Sequence, residues 1–259
     1  MPFANADGVK VYYETHGEGP VVVLSHGAGG HHAIWWQNIP HLRDRYTVVA
    51  LDFPGFGRSD TLEHYDSHEF HRFILAVLDD AEIERAALVG QSLGSPPSLK
   101  VAVDHPERIA GVLVSHSIGG VDDEEILERV RADRAVAEKL PIIDRLMSKR
   151  YQEEQPELVF CFQQLGTFNT ARVPDLQNLW TGLVKPDEIR HALEQGVHVR
   201  FLAGDHDQVV KPETYRMVER LVPGVEIDIV ENAPHSMYWE APELFNAALD
   251  RFLERAYES

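Results

Sequence analysis

Ser92 sits at the centre of Gly90-Gln91-Ser92-Leu93-Gly94, directly behind the apolar run Ala86-Ala87-Leu88-Val89 and ahead of a stretch that reads as helix. A Gly-x-Ser-x-Gly segment between strand and helix holds its serine on a tight turn, because a Cβ on either side would strike the neighbouring strand or helix. The hydroxyl then stands clear and could attack an electrophilic carbon. A serine hydroxyl alone is a poor nucleophile at neutral pH, so it needs a base and a group that orients the base. Gly204-Asp205-His206-Asp207 and Asn232-Ala233-Pro234-His235-Ser236 supply both residue types. The order serine, acid, histidine is a known triad order and suits acyl transfer. An attacked acyl carbon also develops an oxyanion that wants two donors, and the glycines of His26-Gly27-Ala28-Gly29-Gly30 let the N–H of Ala28 approach that of Leu93.

These residues need a frame that gathers them. Apolar runs predict strands over 9–13, 21–25, 46–51, 86–89, 109–115, 197–203 and 226–230, the first two joined by His16-Gly17-Glu18-Gly19-Pro20 as a hairpin-like start. Helices are expected over 32–43, 69–78, 95–103, 212–221 and 242–254. Pro96 and Pro97 fall in the first turn of their helix, where no intrahelical partner is lost. Short apolar strands alternating with helices predict an α/β fold with a mostly parallel sheet covered on both faces, and the chemistry gathers at the strands' C-terminal ends. Ser92, the two later segments and the 26–30 loop all lie at such ends. The alternation breaks over 119–190, where charged helical sequence over 122–139 gives way to aromatic-rich helix and loop.

Composition narrows the partners. With 259 residues, 44% of them hydrophobic, the chain can bury one sizeable core. A formal net charge of -18, from 24 Lys+Arg against 42 Asp+Glu, repels nucleic acid and anionic lipid, so a small-molecule substrate is expected, with no nucleic-acid or membrane partner. Cys161 is the sole cysteine, which excludes an intramolecular disulfide and a cysteine zinc site and leans towards a reducing compartment. The expected location is cytoplasmic, and the expected state monomer or homodimer.

Taken together, His26-Gly27, Asp52-Phe53-Pro54-Gly55-Phe56-Gly57-Arg58-Ser59, Gly90-Gln91-Ser92-Leu93-Gly94, Gly204-x-x-Asp207, and His235 with Glu240-Ala241-Pro242-Glu243 make the chain resemble the α/β-hydrolase fold serine hydrolases. The resemblance implies an eight-stranded, mostly parallel sheet with helices on both faces and a helical lid inserted after strand six. The core would then be 1–118 and 191–259, and the lid 119–190. It also implies Ser92, Asp207 and His235 as the triad and Ala28 and Leu93 as oxyanion donors. No cofactor and no metal are implied. Ser95-Pro96-Pro97-Ser98 departs from the small-residue elbow helix common in the family.

Several residues have competing roles. Asp205, and Asp122 or Asp123 after the sixth strand, compete with Asp207 as the acid, although the Gly204-x-x-Asp spacing favours Asp207. His26 and His116 border the site without being assigned the base. His64, His68 and His71 would share a helix face, for which a solvated surface is preferred over a metal site. Adjacent His31 and His32 are not expected to converge on one ion. Asp52, Arg58 and Asp60 are assigned to loop hydrogen bonds and ion pairs. Trp36, Met147, Phe160, Phe162, Phe168, Trp180 and Met237 are the expected substrate-binding residues, drawn with Trp35, Tyr238 and Trp239 from an apolar set. An aromatic lid without a basic cluster predicts a small to medium, largely apolar carboxylic ester or lactone, cleaved through an acyl-enzyme. A carbon–carbon bond hydrolase acting on a diketone or ring-fission product, and a small-ligand receptor with slow turnover, are the alternatives.

Overall fold

The computed structural model describes residues 2–258. β1 (Phe3–Ala6) and β2 (Val9–His16) pair antiparallel across Asp7 and Gly8, whose φ values of 52° and 91° form the mirror-image turn that suits the right-handed strand twist. β3 (Val21–Ser25) and β4 (Thr47–Leu51) follow. The expected hairpin between 9–13 and 21–25 does not form. β2 runs antiparallel to β4, with Tyr13 opposite Leu51, while β3 lies beyond β4 and pairs with it in parallel. The side chains account for this placement. β2 carries Lys10 and Thr15 exposed and belongs near the edge, whereas Val22 to Ser25 of β3 are all buried and belong in the centre.

β5 (Tyr65–Asp66) leaves this sheet and pairs in parallel with β8 (Leu176–Gln177), which ties the loop after β4 to the segment expected as a lid. β6 (Ala86–Gln91), β7 (Ile109–Ser115), β9 (His198–Gly204) and β10 (Glu226–Val230) complete an eight-stranded sheet of order β1-β2-β4-β3-β6-β7-β9-β10, parallel from β4 onward. All of β6 and β7 is buried, as strands covered on both faces must be. One face holds Phe73, Val77, Leu99, Ile189 and Tyr215 from four helices. The other holds Trp35, Ile39, Phe245, Leu249 and Phe252.

The helix expected over 32–43 is broken into a 3-10 turn, His32–Trp35, and one short helix, Ile39–Leu42, whose first turn contains Pro40. Between β7 and β9 the chain leaves the sheet and forms the helices Glu124–Ala137, Ile142–Leu146, Lys149–Glu154 and Pro156–Gly166. It returns through the helix Pro186–Glu194, which buries Ile189 and Ala192 in the core. The boundary expected at 190 therefore falls inside a helix that packs with the sheet layer.

Candidate active site

Ser92 has φ 49°, a conformation that costs a non-glycine residue free energy and persists only when the surroundings enforce it. The enforcement is visible on both sides. A Cβ on Gly90 would lie 2.5 Å from the Gly94 oxygen and from Ser95 Cα, and one on Gly94 would lie 2.7 Å from the Ser25 carbonyl carbon. The strand, the turn and the helix Ser95–Asp104 can therefore close on each other only with glycine at these two positions. Ser95 Oγ donates to Gly90 O and Ser98 Oγ to Gly94 O, each at 2.7 Å, so polar side chains hold the turn from within. Pro96 and Pro97 occupy the first turn of that helix.

At the ends of β9 and β10, His235 Nδ1 lies 2.9 Å from Asp207 Oδ2. Asp207 is fully buried, and its other oxygen accepts the N–H groups of Val209 and Val210. Burial works to raise its carboxyl, but the charge and hydrogen bond of His235, with His116 and the Val209 N–H, outweigh it and hold Asp207 below the ordinary carboxylate range. The competing acids lie elsewhere. Asp205 is exposed, Asp123 caps the helix Glu124–Ala137 by accepting from Ile126 N, and Asp122 hydrogen-bonds Val184 O through its backbone. His116, with φ 53°, packs its ring edge-on to His235 at 5.8 Å between centroids, and burial lowers it to about 4.

A family profile described as the α/β-hydrolase fold matches residues 20–242. The chain belongs to the α/β-hydrolase family. A protein of Cupriavidus necator named as the dihydrolipoyllysine-residue acetyltransferase component of an acetoin cleaving system is 29% identical over 258 residues, covering 97% of this chain and 68% of that protein. Its namesake in Pseudomonas putida is 29% identical over 94% of this chain and 66% of its own length. This chain thus spans about two thirds of the length of those relatives. Among solved structures, Est816, described as an N-acyl homoserine lactone degrading enzyme, has 25% identity and a TM-score of 0.76 over 97% of this chain and 100% of its own. The meta-cleavage product hydrolase of Pseudomonas fluorescens IP01 has a TM-score of 0.78 at 23% identity, covering 99% and 98%, a likeness of fold.

In this hydrolase a cavity of about 560 Å³ opens over Ser92 and His235, and Ala28 and Leu93 share its walls. Of the expected substrate-binding residues, Phe162 and Trp180 line it. The other five do not. Met147 and Met237 are buried in the core beneath, where their flexible thioethers fill space. Trp36 packs edge-on against Trp239 and is 47% exposed, while Phe160 and Phe168 face outward at 62% and 67% exposure. Phe160 and Phe162 lie on one helix two positions apart, so they cannot share a face. The walls also hold Arg134, Arg145 and Arg172, contrary to the expectation that no basic cluster is present. These arginines come from three separate stretches of chain, so no run of basic residues announces them.

The remaining histidines divide by backbone. His64, His68 and His71 do not share a helix face: His64 precedes β5, His68 lies in a 3-10 turn, and the helix starts only at His71, whose Nδ1 bonds the His68 carbonyl. His31 and His32 do converge, because His31 is extended and the turn begins after it. Their ring nitrogens and the Asp52 carboxylate could offer ligand atoms within 4.8 Å of one another. Two of those three groups already bond each other, His32 Nδ1 to both Asp52 oxygens at 2.9 Å, and Asp52 also accepts the N–H groups of His32 and Arg58. Burial opposes both charges, yet the pairing raises His32 and lowers Asp52, which suits an ion pair that fixes the loop. Among the described residues no helix is long and apolar enough to cross a membrane.

Proposed function

We propose that this α/β hydrolase is a serine hydrolase that cleaves a carboxylic ester or lactone through an acyl-enzyme on Ser92. The observation that carries this reading is the buried Asp207–His235 pair, which opens into the same cavity as a serine held at positive φ. The Asp207 bond to Nδ1 leaves His235 Nε2 to take the Ser92 hydroxyl proton as Oγ bonds the acyl carbon. The carbonyl π electrons move to oxygen, where the N–H groups of Ala28 and Leu93 stabilise the oxyanion. Collapse expels the alkoxide, which takes the proton from His235. Water then attacks the acyl-enzyme with His235 again as base, and Ser92 leaves with its proton restored as the carboxylic acid departs. The segment over 119–190 acts as the lid that closes the cavity and excludes bulk water during these steps. The likeness to Est816, described as a lactone-degrading enzyme, supports including lactones.

Hydrolysis of 4-nitrophenyl butyrate and of γ-butyrolactone by the purified chain and by Ser92→Ala tests the reading. The expected result is turnover by the parent and a loss of about 10³-fold or more in Ser92→Ala. Unchanged turnover in the variant would remove Ser92 as nucleophile. Mass spectrometry after fluorophosphonate treatment should place the single adduct on Ser92.

A further inference from the structure

We infer that the substrate carries a carboxylate remote from its scissile bond, and that Arg134, flanked by Arg145 and Arg172, receives it. The inference rests on the hydrolase reading for the reacting group and extends it to the arginine-bearing walls of the same cavity. Acidic residues outnumber basic ones by 42 to 24 in the chain, so walls of average composition would carry more carboxylates than guanidiniums. The cavity has three arginines and no Asp or Glu side chain. Such a segregation of charge, against a net charge of -18, focuses a local positive field where a distant anion would otherwise be repelled.

Arg134 is the best prepared of the three. Its Nε donates to Glu138 Oε1 at 2.6 Å, the residue that caps the C-terminus of the helix Glu124–Ala137 and is not among the cavity walls. Its guanidinium stacks on the Trp180 ring at 3.9 Å from the centroid, and Trp180 is itself a wall residue. The plane and one edge are thereby fixed. Nη1 itself is buried without a hydrogen-bond partner among the described residues, while the side chain as a whole is 24% exposed. A ligand carboxylate in the cavity would gain a charge-assisted interaction with this guanidinium. Arg145 is held through carbonyl oxygens, Nε to Leu140 O and Nη2 to Glu138 O, so its guanidinium has a fixed place in the wall. Glu138 pairs with Arg134, and Asp175 accepts from the backbone N–H of Arg172 at 2.9 Å, yet neither acid is among the wall residues, so the charges at the cavity surface are the three guanidiniums. Leu146, Phe162 and Val209 add apolar surface to the same walls. A single carboxylate at the end of a short aliphatic or unsaturated chain fits walls that combine apolar surface with guanidiniums.

One matched pair of esters, read by kinetics and by binding, tests it. In the parent chain, kcat/KM for monoethyl adipate should exceed that for ethyl hexanoate by about tenfold or more at low ionic strength, and the ratio should shrink as salt screens the field. In Arg134→Gln the ratio should fall towards one, and Arg134→Lys should restore part of it. Arg172→Gln, at an exposed position, should lower the ratio by a smaller factor and guards against misfolding of the first variant. Calorimetric binding to Ser92→Ala supplies the second readout: monoethyl adipate should bind about tenfold more tightly than ethyl hexanoate. A parent ratio at or below one, or a ratio unmoved by the arginine variants, would overturn the carboxylate assignment while Ser92-dependent cleavage of ethyl hexanoate left the hydrolase reading standing. Equal binding of the two esters would overturn it whether or not either is cleaved.

Discussion

His235 Nδ1 and Asp207 Oδ2 lie 2.9 Å apart, with side-chain exposures of 4% and 0%. The two Val N–H groups on the other Asp207 oxygen fix the carboxylate before any substrate arrives, so the bond also fixes which ring nitrogen faces the cavity. Asp207→Asn preserves shape and most of these bonds but offers an amide where the imidazole must donate. The expected outcome is a fall in kcat of about 10³ to 10⁴ with little change in KM, because the lost interaction grows in the transition state. Steady-state kinetics on 4-nitrophenyl butyrate measures it, and a loss under about tenfold would give Asp207 a purely structural role.

The elbow makes a sharper stability prediction than most glycines allow. Gly94→Ala would put a methyl against the backbone of Ser25 in β3, a neighbour that cannot move without shifting the sheet. Destabilisation of about 2 kcal/mol or more is expected, read as a lower denaturation midpoint at unchanged m-value. Gly29→Ala is the internal control, since a Cβ there meets nothing within 4 Å, and its midpoint should stay close to that of the parent.

Much of this site was legible because its parts announce themselves locally. Glycines on both sides of Ser92, the apolar β6 and the ends of β9 and β10 can be read from short windows, and the sheet that aligns them follows from their alternation. The β1–β2 turn was equally local in Asp7-Gly8, but the four-residue β1 is too short to show a period. Pairing of β2 with β4 was not legible, since it depends on which strand can tolerate an edge neighbour. The cavity walls were least legible of all. Arg134, Arg145 and Arg172 come to one cavity only because separate segments fold over the sheet, and residue type alone favours aromatics such as Phe160 and Phe168, which face solvent.

One contact couples that overlying segment to the loop bearing His235. Glu240 accepts from Ser148 N at 2.8 Å and Ser148 Oγ at 2.5 Å, and Ser236 N donates to Leu146 O. Ser148 Oγ in turn accepts from Tyr151 N and caps the helix Lys149–Glu154. Glu240→Ala should loosen this helix locally, a change of about 1 to 2 kcal/mol. Faster amide exchange across residues 142–154, with exchange in β6 and β7 unaltered, is the expected signature; uniform acceleration across the sheet would mean that Glu240 supports the global fold instead.

Acid should weaken the fold through its neutral histidines. His26 Nδ1 lies 2.8 Å from Gly27 O and donates to it, while Nε2 accepts from Phe53 N, so the ring is held in one neutral tautomer with no place for a second proton. Burial lowers His26 from 6.5 to about 4, against the pull of Asp52, and burial lowers His116 likewise to about 4. Both folded values lie below the unfolded one, so the unfolded chain binds more protons between about pH 6.5 and 4. Their contribution is complete above pH 6.5 and is lost as pH falls through 4, on the order of 3 kcal/mol apiece. Asp207, also lowered, adds loss in the same direction at still lower pH. Denaturant unfolding at steps from pH 7.5 to 4.5 should therefore show stability falling with pH, and His26→Asn, though less stable overall, should flatten that slope by nearly one proton, about 1.4 kcal/mol per pH unit. A slope identical in parent and variant would mean that His26 takes up its proton while the fold stays intact.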